Sequence, residues 1–162
     1  IPELCPKWIQ APDCDFGIDL PSYALVSDPP DGPIDAWYMV ADDWRCDGRH
    51  IPAIRWWGSY LGWEEKAPPP SQMLRPYGFR LTWYTDNPTH ESGLEYSQPL
   101  APITNVLARL ATPGTTNPPA GVVSEVYYCT VSNKMSPPGF EHEFHYYLEL
   151  ENPWNEKAGR IY

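Results

Sequence analysis

Apolar and polar residues alternate with a period of two in several short runs of this chain. In 142–150, Phe144, Tyr146, Leu148 and Leu150 fall on one side, and Glu143, His145, Tyr147 and Glu149 on the other. In 78–85, Phe79, Leu81 and Trp83 oppose Arg80, Thr82 and Tyr84. In 51–63, Ile54, Trp56 and Tyr60 oppose Arg55, Trp57 and Ser59. Successive side chains of a strand point to opposite faces, so this pattern predicts strands with one apolar and one mixed face. The same reading places strands near 17–24, 35–46, 94–100 and 124–132, and a last one beginning at Arg160. Residues 103–111 fit two patterns. Ile103, Val106, Leu107 and Leu110 make a helical stripe, whereas Val106, Ala108 and Leu110 alternate. The strand reading is preferred there.

Turn signals separate these runs: Asp28-Pro29-Pro30-Asp31-Gly32-Pro33, Pro68-Pro69-Pro70, Thr112-Pro113-Gly114, Pro118-Pro119 and Pro137-Pro138-Gly139. Proline and glycine fix or free the backbone where a chain reverses. Seven or eight strands with one apolar face each predict two packed antiparallel sheets. The expected fold class is therefore all-β: an antiparallel β-sandwich of jelly-roll type, with a closed barrel as the competing arrangement. No repeat of 20–50 residues is visible, and the 162 residues are read as a single domain, 1–162.

Composition sharpens this picture. The chain holds 21 Pro, 11 Gly, 8 Trp, 11 Tyr and 4 Phe, which suits many turns around an aromatic core. Its net charge is −10, a balance that repels phosphate backbones and anionic lipid. Nucleic acid is excluded as a partner on that ground, since its recognition needs a basic footprint. No apolar run reaches the roughly 18 residues of a membrane span, so no membrane insertion is expected. The sequence opens on Ile1 without a Met and shows no leader, which fits a mature or trimmed product.

The four cysteines, Cys5, Cys14, Cys46 and Cys129, form an even set without a Cys-x-x-Cys pair. That argues for disulfides and an oxidising compartment over zinc or thioredoxin-like chemistry. Three connectivities exist. Cys5–Cys14 is favoured because it anchors the short Pro-containing segment between them, and it leaves Cys46–Cys129 as a link between separate strands. Closing so long a loop contributes about 4–5 kcal/mol in the chain-entropy model. Four buried free thiols are the alternative.

The run Ala41-Asp42-Asp43-Trp44-Arg45-Cys46, followed by Ile54-Arg55-Trp56-Trp57-Gly58-Ser59-Tyr60, resembles a domain family of unknown function from secreted bacterial proteins. That family carries an Ala-Asp-Asp-aromatic strand and then a Trp-Gly-Ser-aromatic strand. Lys7-Trp8-Ile9-Gln10-Ala11-Pro12-Asp13 and Gly17-Ile18-Asp19 resemble its opening, and Thr85-Asp86-Asn87-Pro88 and Tyr96-Ser97-Gln98-Pro99 its middle. The resemblance spans nearly the whole chain. It implies a secreted β-sandwich that serves as one module of a larger surface protein, and it implies no activity. A further strand follows the corresponding Ile-Tyr in that family, so the strand at Arg160-Ile161-Tyr162 is expected to be cut short, leaving an open sheet edge.

Candidate chemistry is sparse. Asp42 and Asp43 are a candidate pair for a structural Ca²⁺, with Asp28, Asp31 and Asp35 as further oxygen donors; a turn pair making local hydrogen bonds is the preferred reading. His142-Glu143-Phe144-His145 is one residue short of a helical metalloprotease motif, and on a strand its histidines point to opposite faces. Glu141, Glu143, Glu149 and Glu151 could supply a glycosidase pair, but a solvated acidic face is preferred. Gly-x-Ser-x-Gly is absent. No catalytic residues are assigned, and no enzyme is expected.

The aromatic residues carry the best functional hint. Trp57, Tyr84 and Tyr147 fall opposite the apolar faces, and planar rings exposed together form an interaction surface. The expected function is a non-enzymatic extracellular structural or adhesive module at the cell surface, such as a subunit of a fibre or matrix. Its partners are then like subunits or other surface proteins. The alternative is a carbohydrate-binding module whose partners are glycans.

Overall fold

The computed structural model of this chain describes residues 23–26, 34–38, 40–42, 44, 47–60, 63, 65–70, 75–87, 91, 93, 95, 98–133 and 139–155. Among these residues seven strands follow one another: β1 (Tyr23–Val26), β2 (Ile34–Tyr38), β3 (Ile51–Ser59), β4 (Gly78–Asn87), β5 (Gln98–Leu110), β6 (Val122–Asn133) and β7 (Gly139–Trp154). The protein is all-β. β1 and β2 pair as an antiparallel ribbon, and the other five form a mixed sheet in the order β3-β7-β6-β5-β4.

β7 is the spine of that sheet. Its 16 residues pair antiparallel with β3 on one side and with β6 on the other. Phe144, Tyr146, Leu148 and Leu150 are all buried, as their alternation requires. Across the ladder, Gly58 opposes Phe144, Trp56 opposes Tyr146 and Ile54 opposes Leu148, so β3 presents the same face. β6 adds the fully buried Val123.

β4 and β5 form a long antiparallel hairpin. Phe79, Leu81 and Trp83 point one way, matched on β5 by Ala108, Val106 and Thr104. The rings of that face meet the rings of β3 and β7. Phe79 stands edge-on to Trp56 and to Tyr146, each at 5.0 Å, and Trp83 lies 5.6 Å from Trp154. Stacked and edge-to-face aromatic pairs each add about 0.5–1.5 kcal/mol beyond area burial. The aromatic core predicted from composition is this contact layer.

Three features depart from the sequence reading, each for a local reason. Residues 98–100 of the first expected segment and 103–110 of the second belong to one strand, β5, whereas Glu95 lies outside it and 94, 96 and 97 lie outside the described residues. The register of β5 slips beside Pro102 and Pro99, which face Tyr84 and Asp86. Proline has no N–H for the ladder, so the pairing shifts where it intrudes. The strand expected over 35–46 stops at Tyr38, and Val40, Ala41 and Asp42 lie exposed outside any strand. The third departure is a parallel pair. β5 and β6 meet only at Arg109–Val122 and Leu110–Val123, and they run in the same direction there. The crossover between them is short and rich in Pro and Gly. Gly121 makes its last turn with φ of 82°, and a Cβ there would fall 2.7 Å from the Glu151 carboxylate. The positive φ is what favours glycine here, since the exposed Glu151 side chain can swing aside. The strand expected from Arg160 lies outside the described residues.

Candidate functional site

The face of β3, β7 and β6 that turns away from the hairpin carries two of the three rings singled out in the sequence, Trp57 and Tyr147. Register sets them in rungs. Arg55 opposes Tyr147, Trp57 opposes His145, and Ser59 opposes Glu143. From β6, Ser124 joins Tyr147, Val126 joins His145 and Cys129 joins Glu143. A bulge between Tyr127 and Cys129 resets the alternation and brings Cys129 onto this face. The side chains interlock. Trp57 lies 5.4 Å from His145 and 5.9 Å from Tyr128, and the Arg55 guanidinium sits 5.4 Å from the Tyr147 ring centre.

This face is less open than a solvated platform. Trp57, His145 and Tyr147 are half-buried, and Glu143 is only 6% exposed. Glu143 was expected on a solvated acidic face; it is covered there, whereas Glu149 and Glu151 lie open to water and the Glu141 side chain lies outside the described ones. The Trp57 Nε1 and His145 Nε2 atoms are both shielded from solvent without a hydrogen-bond partner. Burial first, and the Arg55 guanidinium second, push the His145 imidazole below its ordinary value. The groups around it are Arg55 from β3, Tyr128 from β6, and Glu143 and Tyr147 from its own strand. The neutral form is the one that this face accommodates.

A pH dependence follows. The unfolded chain takes up a proton near pH 6.5, whereas the folded chain resists it until a lower pH. Stability is therefore fully present above that value and falls as pH drops below it. In urea titrations between about pH 5 and 7.5, His145→Phe is expected to flatten this slope. An unchanged slope in the variant would place the proton elsewhere.

Of the three rings proposed as one surface, the structure brings Trp57 and Tyr147 together and leaves Tyr84 apart. Tyr84 alternates with Trp83, so it stands on the outer face of the β4–β5 hairpin. His142 and His145 do point to opposite faces. His142 is buried on the inner side, where Thr130 Oγ1 lies 2.9 Å from its Nδ1 and 2.8 Å from the Tyr127 hydroxyl. Asp42 is exposed, and Asp43, Asp28 and Asp31 lie outside the described residues. Among the described residues, no group of three His, Cys, Asp or Glu side chains is placed to hold a metal ion. Cys129 is disulfide-bonded; Cys5, Cys14 and Cys46 lie outside the described residues.

One cluster went unnoticed in the sequence. Glu125 is buried on the inner face of β6. Its carboxylate accepts hydrogen bonds from the Tyr60 hydroxyl and, at 2.8 Å, from Arg75 Nε. The Arg75 guanidinium also donates to the Ala111 carbonyl at 2.6 Å. The three residues tie the end of β3, the approach to β4 and the start of the crossover to one point. Burial first, and then the Glu125 hydrogen bond, push the Tyr60 phenol up; burial, Tyr60 and Glu125 do the same to Tyr146. Both phenols stay protonated, and each polar group is consumed by a neighbour. The signal was available: Val123, Glu125 and Tyr127 alternate onto one face, so a carboxylate there is inward and needs a cation.

No curated protein and no solved structure matches this chain. One family does, over residues 6–162. The chain thus belongs to a family described as a domain of unknown function, DUF7901.

Proposed function

We propose that this protein is a non-enzymatic, extracellular structural or adhesive module, and that its strands pack as a jelly-roll β-sandwich. One observation carries the reading: large apolar side chains collect on the outward strand faces. Leu100, Ile103 and Leu107 on β5, and Val126 and Tyr128 on β6, are all exposed. Apolar groups gathered on outer faces mark surfaces made for contact with other molecules. Two of the buried titratable groups are spent differently. Glu125 is held by Arg75 and Tyr60, and His142 by Thr130, so they serve the fold.

Secretion is supported by the bonded state of Cys129, because disulfides persist in oxidising compartments. Its partner in this reading is Cys46, with Cys5 and Cys14 joined to each other. The carbohydrate-binding alternative keeps two half-buried rings, Trp57 and Tyr147, without Tyr84 beside them. That makes it the second choice.

The test is fractionation of the native source with thiols alkylated at lysis, followed by non-reducing peptide mapping. The expected result is the chain in the medium or surface fraction with Cys46 linked to Cys129. Recovery from the cell interior with alkylated Cys46 and Cys129 would sink the extracellular assignment.

A further inference from the structure

We propose that the sheet holds a slot, one strand wide, that takes an extended segment of another polypeptide with apolar side chains inward and basic side chains outward. The proposal rests on the structural-module reading and names the chemistry of its partner.

The slot follows from where β6 begins. Arg109 on β5 stands beside Val122 on β6, and the Gly121 N–H donates to the Glu149 carbonyl on β7 at 2.8 Å. The three strands therefore share one level there. Below that level β5 extends back to Gln98 and β7 extends on to Trp154, but β6 has not yet started. Adjacent strands lie about 4.8 Å apart, so the two edges that β6 would have joined stand about 10 Å from each other. The gap is a cleft of about 160 Å³ lined by Val106, Leu107, Gly121, Leu150, Glu151 and Asn152. Both β5 and β7 contribute consecutive residues. Consecutive side chains point to opposite faces, so what these strands turn to the cleft is their backbone edge.

The backbone supplies the bonds. The Leu110 N–H donates to the Tyr77 carbonyl, on the β4 side, and the Ala111 N–H donates to the Val123 carbonyl, on the β6 side. The pairing of β5 with β4 is regular from Arg109 to Thr104. Backbone groups alternate sides along a strand, so Leu107 and Asn105 turn their N–H and C=O groups into the slot. Among the described residues, β6 meets β5 only at Arg109 and Leu110, and no strand reaches those groups. Pro102 and Pro153, which have no N–H, bound the slot at its lower end. The turn at Gly121 closes its top. Two strand edges set this far apart select an extended backbone.

The side chains select the rest. Leu150 is buried and Val106 half-buried, so the inner side of the slot is apolar. On the outer side stand Leu107, 70% exposed, and the exposed Glu149 and Glu151. The Glu151 carboxylate lies at the upper end, where a Cβ on Gly121 would meet it. Two exposed arginines stand close in register, Arg109 and Arg55, and each is engaged by a ring: their guanidiniums sit 5.4 Å from the ring centres of Tyr77 and Tyr147. A lysine or arginine of the occupant lays its stem on Leu107 and its charge against the two carboxylates.

The probe is a fluorescent peptide, Gly-Lys-Val-Arg-Ile-Lys-Gly, titrated against the full chain and read by anisotropy, with amide exchange followed by NMR. The expected result is saturable binding that slows exchange at Asn105 and Leu107 roughly tenfold or more. Binding should vanish when the peptide's backbone amides are N-methylated. It should weaken roughly tenfold or more against the double variant Glu149→Lys, Glu151→Lys, or when Glu replaces the peptide's Lys and Arg. Both carboxylates are exposed, and circular dichroism matching the parent verifies the variant's fold. Binding that survives N-methylation would be charge adsorption and would overturn the proposal, as would binding blind to the charge reversals. Full protection of both amides before any peptide is added would give the edge to a strand of this chain or of a second copy, and would overturn it equally. A chain that binds no peptide overturns the slot alone, because the structural-module reading stands or falls on fractionation of the native source.

Discussion

Glu125→Ala is expected to destabilise the fold by about 3–5 kcal/mol, the cost of removing one partner from a buried ion pair. The Arg75 and Glu125 side chains are only 10% and 1% exposed, and their charged atoms lie 2.7 Å apart. Without the carboxylate, the guanidinium stays nearly buried with the Ala111 carbonyl as its remaining acceptor among the described residues. Tyr60 loses its acceptor in the same step. The loss is therefore a penalty for stranding charge, not the net worth of the pair. That distinction has its own signature. The double variant Arg75→Met, Glu125→Leu should recover much of the loss, giving strong non-additivity in a double-mutant cycle. Urea midpoints of the four proteins supply the measurement. Additive losses would show that the two groups act independently.

Phe144→Ala should cost a similar amount, about 3–5 kcal/mol, through a cavity that the sheet cannot close. Phe144 is fully buried and stands 5.4 Å from the Tyr60 ring, edge to face. Its cross-strand neighbour on β3 is Gly58, which has no side chain to move into the gap. Trp57→Ala, one position away from Gly58 and on the other face, removes a half-buried ring and should cost clearly less. Equal losses at Phe144 and Trp57 would contradict the assignment of inner and outer faces.

Much of this architecture was legible because alternation is a local property. The faces of 51–60, 78–84 and 142–150 follow from their patterns, and each inward residue of 142–150 is buried. Pairing is not local, and it is where the sequence ran out. Nothing in 111–121 announces that β5 and β6 would run in parallel, because that depends on where the Pro-Gly crossover delivers the chain. Strand length was misjudged in both directions. The sequence reading kept 94–100 apart from 103–111, yet β5 runs through both Pro99 and Pro102 with register shifts along its pairing with β4.

The site shows the same division. That Trp57 and Tyr147 share a face was readable from alternation within their strands. The distance of Tyr84 from them was not, because it depends on the hairpin lying over the inner face of β3 and β7. Half-burial of Trp57 and near-complete burial of Glu143 were also hidden, since alternation tells a side and not what covers it. The exposed leucine, isoleucine and valine of β5 and β6 carried no warning either. An apolar residue in a strand reads as core until the opposite face is seen to be filled.

The claim at the centre of this account is that the chain is built to assemble outside the cell. Electron microscopy of the surface fraction, prepared without reductant and labelled by an antibody against this chain, tests it directly. The account predicts labelled fibres or layers with a repeat set by one subunit. Uniform single particles of one chain's size, with label on no assembly, would contradict it.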